Sequence, residues 1–259
     1  MKKLFRFRFI SLIFILFFLS GGVLETLHAQ TTGTGSPGLR IDVSGSNEEG
    51  DFGVAIQLVV AMTILTLGPS VIMMMTCFTR IVIVLGFVRN AIGVNAAPSS
   101  QIIIGLALFL TFFVMGPIWN KIYDDAVTPY MATTMKSGDA LLVATAHMKD
   151  FMLNQTRQAD AQFFLEISRQ GAMTRDELPL SIVVPSFVLS ELRTAFQMGF
   201  LIFIPFIIVD FIVASSLMSM GMMMMPPVVI SMPFKLLLFV LVDGWYLVVQ
   251  SLVNSFNIA

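Results

Sequence analysis

Four long apolar segments, separated by shorter polar stretches, dominate the pattern along the chain. Each approaches or exceeds the ~20 apolar residues that a membrane-spanning helix needs. In sequence order they pair as two helical hairpins, over residues 52–122 and 181–259. The pattern therefore predicts an all-α membrane-associated protein.

Glycine and proline residues interrupt these segments. The first contains Gly68-Pro69, the second Gly116-Pro117, and the third Pro205. Proline is tolerated in a membrane helix where neighbours satisfy the freed carbonyl group, and it usually kinks the helix. We therefore expect broken helical hairpins rather than straight spans.

Residues 1–29 have the pattern of a secretory signal peptide. A basic start precedes an apolar core from Phe9 to Leu19, and cleavage after Ala29 fits the small residue there. An uncleaved membrane anchor is the alternative, although the core is short for a span. Residues 30–51 are rich in glycine, serine, threonine and acidic residues. They predict a flexible extracytoplasmic tail, because such a segment buries little apolar surface.

Residues 123–180 have an ordinary density of charge. Apolar residues at helical spacing predict helices over 140–155 and 160–170, and Thr174 to Glu177 resembles a helix start. A segment of about 58 residues is marginal for a core of its own. We therefore expect a small helical extracytoplasmic insertion that packs on the membrane part or on a partner. The side chains expected to be buried there are Phe151, Phe163, Phe164 and Leu165.

An uncharged turn joins the last two apolar segments. Its residues are Gly221, Met222, Met223, Met224, Met225, Pro226 and Pro227. Gly221 permits a bend, and the two prolines end a helix. One interpretation is a turn filled with methionines. The other is a soft apolar surface, since methionine adapts its shape to what it contacts.

Arg80 and Arg89 lie in the apolar connection between the first two segments, with no acidic residue nearby. Because arginine is enriched in cytoplasmic loops, we assign both to the cytoplasm-facing end or to a contact between subunits. Alternation of the segments then places residues 123–180 outside the cytoplasm and the methionine turn inside.

Single charges interrupt the second hairpin, and charges in such segments mark interior or functional positions. They are Glu191, Arg193, Asp210, Lys235 and Asp243. Asp210 and Lys235 are equally far from the methionine turn, each about 18 Å away along a helix. We therefore expect them to pair, within one subunit or with an adjacent copy. A pair that fixes the register is one interpretation, and a proton relay in an ion-coupled membrane transporter is the other.

Two of these charges are close in sequence but not on one face. Glu191 and Arg193 are two residues apart, so they point to different sides of a helix and should pair with other elements or chains. Asp243 has no mirror partner, because the equivalent position across the hairpin is Ile202.

Composition narrows the class of protein. The chain is 56% hydrophobic and 12% charged, against about 25% charged residues in soluble domains. A net charge of −1 argues against nucleic acid as a partner. The single Cys77 excludes an internal disulfide framework and a cysteine-based zinc site, and His28 and His147 are too far apart in sequence to suggest a metal site.

Catalytic signatures are missing from the sequence. It contains no glycine-rich phosphate loop, no zinc-protease motif, no nucleophile elbow and no cysteine–histidine cluster. We therefore expect no enzymatic activity, no cofactor and no bound metal. Thioethers suit Cu(I), but four consecutive methionines point in all directions, so a copper-handling membrane protein is the weaker alternative.

Three runs of residues stand in order within about 52–256: Phe78–Ala91 with Pro98 and Gln101–Phe113, then Pro185–Phe200, and then Gly221–Pro227 with Pro233–Leu236 and Val242–Trp245. Together they resemble the FliP family of flagellar export-gate proteins, whose injectisome relative is SctR. Arg193 stands where the family pattern has lysine, and the turn has one extra methionine.

The resemblance implies a pore-forming and gating subunit of the flagellar type III protein export apparatus. It implies five copies that assemble with FliQ-like and FliR-like subunits into an oligomeric helical cone in the flagellar basal body, at the bacterial inner membrane. It further implies FlhB-like and FlhA-like partners, unfolded flagellar proteins as export substrates, and methionine turns that form a gasket around the closed pore. The predicted signal peptide favours the flagellar branch over the injectisome branch.

Overall fold

A computed structural model of the chain describes residues 48–93, 98–169, 171, 173–222 and 226–256, with side chains from residue 56 onward. The predicted signal peptide and most of the predicted tail lie outside these ranges. The chain divides into two units, residues 1–56 and 57–259. All packing described below lies within the second unit.

Regular structure in the described ranges is helical throughout, as the apolar pattern predicts. The α-helices are α1 (Glu48–Met74), α2 (Phe78–Ile92), α3 (Ser100–Ile122), α4 (Thr128–Met131), α5 (Ser137–Gln155), α6 (Gln158–Ser168), α7 (Leu180–Ser219), α8 (Pro227–Leu241) and α9 (Gly244–Asn254). A π-helical stretch, Tyr123–Val127, joins α3 to α4, and a 3₁₀ turn, Arg175–Glu177, precedes α7. Helix α1 begins four residues before the expected start of the first hairpin.

Three stretches of the described chain are long and apolar enough to cross a membrane: residues 56–74 of α1, residues 100–131 from α3 through α4, and α7. The bent pair formed by α8 and α9 makes a fourth if it counts as one span. These are the four apolar segments of the sequence.

Helix α2 lies at the centre of the packing, against α7 and α3. Its buried residues Ile81, Val84, Leu85 and Val88 follow the spacing that places side chains on one helix face. Close approach of α2 and α7 requires Gly199, because a Cβ atom there would lie 2.4 Å from the Phe87 ring.

The inserted helices α5 and α6 pack on α7, and α5 also packs on α3. This is one of the two arrangements expected for them. Phe151 is buried and Phe164 and Leu165 are half-buried, but Phe163 is 51% exposed. The prediction for Phe163 was wrong because α6 presents only one face to α7, and that face carries the buried Asp160 and the neighbouring Phe164.

The predicted helix start at Thr174 is a capping box around the 3₁₀ turn. The Thr174 amide donates to Glu177 Oε2 at 3.0 Å. This bond holds the pKa of the exposed Glu177 carboxyl below its ordinary value of 4.5. The capping box thus ends the insertion just before α7 begins.

Candidate functional site

Helix α7 ends at Gly221 in the way the sequence predicts. Gly221 has φ +76°, its amide donates to Met218 O at 3.1 Å, and the Met222 amide donates to Leu217 O at 3.0 Å. This pair of bonds is the Schellman motif, which requires a left-handed residue and therefore favours glycine. Met222 is 44% exposed, whereas Met223, Met224 and Met225 lie outside the described residues. Pro226 is the N-cap of α8, and Pro227 is its first residue.

The arms of this hairpin are joined by the predicted charge pair. Lys235 Nζ donates to Asp210 Oδ2 at 2.6 Å. Ser231 donates to Asp210 Oδ1 at 2.5 Å, so both carboxylate oxygens have partners. The Lys235 side chain is 5% exposed and that of Asp210 is 34% exposed. The pair forms within one chain and fixes the register of α7 against α8.

Arg80 and Glu191 form a second charge pair, which the sequence did not reveal. Arg80 Nε donates to Glu191 Oε2 at 2.9 Å, and Arg80 Nη2 donates to Oε1 of the same carboxylate. Both residues are buried. Two parallel bonds of this kind are the strongest arrangement that an arginine and a carboxylate make.

The same guanidinium contacts two further parts of the chain. Arg80 Nη1 donates to the Ser255 carbonyl at 2.9 Å and to Ser255 Oγ at 3.0 Å. Its Nη2 lies 3.4 Å from Gln155 Oε1, and its Cζ lies 4.0 Å from the centre of the Phe256 ring. Arg80 thus connects α2, α5, α7 and the end of α9. We name these residues the Arg80 centre: Arg80, Gln155, Glu191, Ser255 and Phe256.

These contacts correct the sequence-based assignment of Arg80. Arg80 lies in the interior of the chain and not on a surface that another subunit could contact, whereas its assignment to the cytoplasm-facing end stays a prediction. The subunit-contact assignment failed because the partner carboxylate is 111 residues away in sequence. Arg89 is half-buried and donates to Ser100 Oγ at 2.8 Å, which ties the end of α2 to the start of α3.

A third polar cluster fixes α6 on α7. Asp160 is buried, accepts a hydrogen bond from Ser190 Oγ at 2.7 Å and lies 3.5 Å from Arg193 Nη1. Ser190 Oγ in turn accepts the Arg157 amide at 3.1 Å. As expected, Glu191 and Arg193 each pair with another element.

Two charges expected to be buried are exposed. The Arg193 side chain is 48% exposed, because only its end reaches Asp160. Asp243 is also exposed. It lies at the break between α8 and α9, where the chain bends away from the hairpin instead of continuing it.

The remaining reactive groups are considered for metal binding and for thiol chemistry. The described residues contain no group of three or more histidine, cysteine, aspartate or glutamate side chains that could hold a metal ion. Burial raises the pKa of the Cys77 thiol to about 12, so this cysteine is unreactive at neutral pH. His147 Nε2 lies 3.0 Å from Asp125 Oδ2 and joins α5 to the π-helical stretch.

This arrangement of a methionine turn, a registered hairpin and buried arginine–glutamate contacts lies within the region matched by one family model. The model is described as the FliP family, and it matches residues 61–252. The chain belongs to the FliP family. The match covers every described residue of the sites above except Ser255 and Phe256.

Individual FliP proteins are similar over most of the chain. The flagellar biosynthetic protein FliP of Bacillus subtilis is 48% identical over 217 residues, which cover 83% of this chain and 98% of that protein. The protein of the same name from Borreliella burgdorferi is 42% identical over 250 residues, 94% of this chain and 97% of its own. The Buchnera aphidicola FliP from the Acyrthosiphon pisum subspecies is 46% identical over 257 residues, but this chain spans only 65% of its length.

Sequence reasoning missed the neutral members of these clusters. Ser231 carried a usable signal, because it lies one helical turn before Lys235 and therefore on the same face. Arg80 and Glu191 were two unpaired opposite charges in apolar runs, which is also a signal for pairing. Gln155 and Ser255 carried none, because polar residues at helix ends are ordinary, and a single serine within an apolar helix, such as Ser190, usually bonds to its own backbone.

Proposed function

We propose that this chain is a pore-forming and gating subunit of the flagellar type III protein export apparatus. Its role is to conduct unfolded flagellar proteins across the inner membrane. The observation that carries the proposal is the family match over residues 61–252, most of the chain. The relatives are named as flagellar biosynthetic proteins, and the helices long enough to cross a membrane suit a membrane-embedded component.

The hairpin formed by α7 and α8 supports a gating role. Its tip carries the methionine run, and the described member of that run, Met222, is exposed. The Asp210–Lys235 pair holds α7 and α8 at one register. A seal that excludes ions yet admits side chains of any size is better formed by flexible thioethers than by rigid rings. These properties support the gasket role that the family resemblance implies for Met222 to Met225.

Exposed apolar surface supports assembly with protein partners. Helix α7 has 40 residues, about 60 Å of helix, whereas a bilayer core is about 30 Å thick. Large apolar side chains are exposed along its second half, among them Phe200, Leu201, Phe211 and Ile212. The chain's own helices α2, α5 and α6 pack on α7, and most of its buried residues lie in the first half. The exposed second half is therefore free to contact lipid or other subunits. Five copies of this chain with FliQ-like and FliR-like subunits, and with FlhB-like and FlhA-like export proteins alongside, provide those contacts.

The chain itself performs no catalysis in this proposal and uses no cofactor. The rival function of an ion-coupled transporter rests on Asp210. Because Lys235 and Ser231 occupy both of its oxygens, this carboxylate suits a structural pair better than a proton relay. Copper handling rests on the methionine run alone, and the described residues contain no group of three or more histidine, cysteine, aspartate or glutamate side chains that could hold a metal ion.

Ion leakage tests the gating role. Replacing Met222–Met225 with alanine in the assembled complex should leave assembly intact and make the membrane permeable to small ions. The matched control replaces exposed methionines outside the turn, Met62 and Met131, with alanine and should not leak. A variant that assembles normally, exports normally and stays impermeable would remove the gasket role.

Purification tests the broader assignment. A multi-subunit complex with two smaller apolar partners supports an export-apparatus subunit. A stable lone monomer that transports an ion in vesicles would support the transporter instead. Stoichiometric copper in the washed protein, lost on methionine replacement, would support the copper-handling alternative.

A further inference from the structure

The last two helices form a bent arm. Their axes differ by 63° across a break at Val242 and Asp243. As one straight helix, residues 227–254 would measure about 42 Å, which is more than a bilayer core requires. Only two residues between α8 and α9 therefore separate a folded arm from one continuous helix.

The break is held in a conformation that its residues do not favour. Asp243 has φ 51° and ψ 53°, the left-handed region that residues with a Cβ atom rarely adopt. The next residue, Gly244, lies against Phe239 so closely that a Cβ atom would be 2.2 Å from the ring. Strained positions of this kind persist only where the surrounding structure holds them.

The far end of the arm supplies the restraint. Val248 and Leu252, four residues apart on one face of α9, are buried in the main core together with Phe256 just after the helix. At this end Arg80 holds Ser255 through two hydrogen bonds and stacks on Phe256. The Arg80 contact is rigid, because Glu191 fixes the same guanidinium from the other side.

We propose that α8 and α9 form a two-state arm in which the contacts of Arg80 with Ser255 and Phe256 act as a latch on the bent state. Release of the latch allows Val242 and Asp243 to become helical and joins α8 and α9 into one helix. The Arg80–Glu191 pair stays closed in both states and leaves the Arg80 Nη1 donor open in the released one. This inference concerns the chain's own conformations and stands whether or not the export function proposed above is right.

Three variants, at the latch and at the break between α8 and α9, distinguish the bent state from the straight one. Phe256→Ala with Ser255→Ala weakens the latch and leaves Arg80 paired. Gly244→Ala introduces a clash with Phe239 in the bent state. Asp243→Ala disfavours the left-handed conformation, whereas Asp243→Asn retains it, because asparagine tolerates that region. Arg80 itself is left unchanged, since its loss would strand a buried carboxylate and unfold the chain.

A distance measurement reports the state of the arm in the full chain. Spin labels at exposed Gln158, close in sequence to Gln155 of the Arg80 centre, and at exposed Gln250 on α9 bracket the latch. The native Cys77 can remain, because it is buried and its thiol pKa is raised to about 12. The protein is measured in detergent micelles and in lipid nanodiscs, with helix content checked by circular dichroism.

In the unaltered chain we expect one short distance between the labels at positions 158 and 250. In the variants that weaken the latch or the bent conformation, we expect a second, longer and discrete distance between the same labels. Gly244→Ala should raise the longer population at least about fivefold, because its Cβ atom overpacks against Phe239 in the bent state. Asp243→Asn, and Gly105→Ala at a site where a Cβ atom meets nothing within 4 Å, should match the unaltered chain. A single short distance in both Gly244→Ala and the latch variant, with helix content intact, would overturn the proposal. A broad, featureless distribution would also overturn it, because it indicates local unfolding rather than a second state.

Discussion

The first and last twenty residues of α7 are both strongly apolar, yet they have very different surroundings. Eight residues of Leu180–Gly199 are buried, whereas only Phe206 and Leu217 are buried in Phe200–Ser219. The first half packs against α2, α5 and α6, and the second half against α8. The chain thus completes one half of the helix itself and leaves the other half for lipid or for other subunits.

The charge pairs follow the same division. Glu191 in the first half is fully enclosed with Arg80, while Asp210 in the second half remains partly exposed beside Lys235. A buried pair suffers when one partner is removed, because the other charge is left without compensation. A partly exposed charge retains access to water and suffers less.

The largest expected effect is therefore at Glu191. Glu191→Ala should destabilise the purified chain by about 3–5 kcal/mol, because it strands Arg80 in the core. Thermal unfolding in detergent measures this, and Glu191→Gln, which keeps an acceptor of the same size, should lose less. A loss below about 1 kcal/mol, the value typical of exposed pairs, would remove the distinction between the two halves.

The second effect is at the hairpin pair. Lys235→Ala and Asp210→Ala should each reduce assembly of the complex, and the double variant should be no worse than either single one. We expect a coupling energy of about 0.5–2 kcal/mol, reduced by the exposure of Asp210. Native gels of the assembled complex provide the measurement. Strictly additive losses would show that the two side chains act independently in the assembly.

The third effect is at the boundary between the halves. Gly199→Ala forces a Cβ atom toward Phe87 and should cost about 1–3 kcal/mol through overpacking. Gly86→Ala on α2 meets nothing within 4 Å and is the matched control, since it tests helix propensity without a clash. Equal stability of the two variants would mean that α2 and α7 can separate there without loss.

The smallest effect concerns the capping box before α7. Because the bond from the Thr174 amide lowers the pKa of Glu177, its contribution is present above the unfolded pKa and is lost as the pH falls through the lower, folded value. Hydrogen exchange at Thr174 should therefore quicken, relative to intrinsic rates, below about pH 4.5. Glu177→Gln should abolish this pH dependence, and a pH dependence that persists in the variant must come from another group.

Hydrophobic patterning alone predicted much of the fold. The four apolar segments became the four membrane-length stretches, and the inserted helices α5 and α6 were expected near their observed bounds. Patterning failed at residues 78–92, where a buried helix was assigned as a membrane-edge connection. Apolar residues at helical spacing indicate burial, but they do not say whether lipid or protein does the burying.

The charge pairs of the candidate site were likewise predictable only in part. Symmetry about the methionine turn was enough to pair Asp210 with Lys235, because a hairpin of two helices has one geometric parameter, the position of its tip. No comparable symmetry relates Arg80 to Glu191 or to Ser255. Each of these two partners lies more than a hundred residues from Arg80 in sequence and outside α2.

The sequence by itself determined which segments are helical, where the long hairpin turns, and which family the chain resembles, since each follows from local spacing or a contiguous motif. Tertiary structure alone decided how α2 is enclosed, why Gly199 and Gly244 lack side chains, and that the last helix folds back onto Arg80. Those features depend on which surfaces meet in space, and a linear pattern records the surfaces without recording their neighbours.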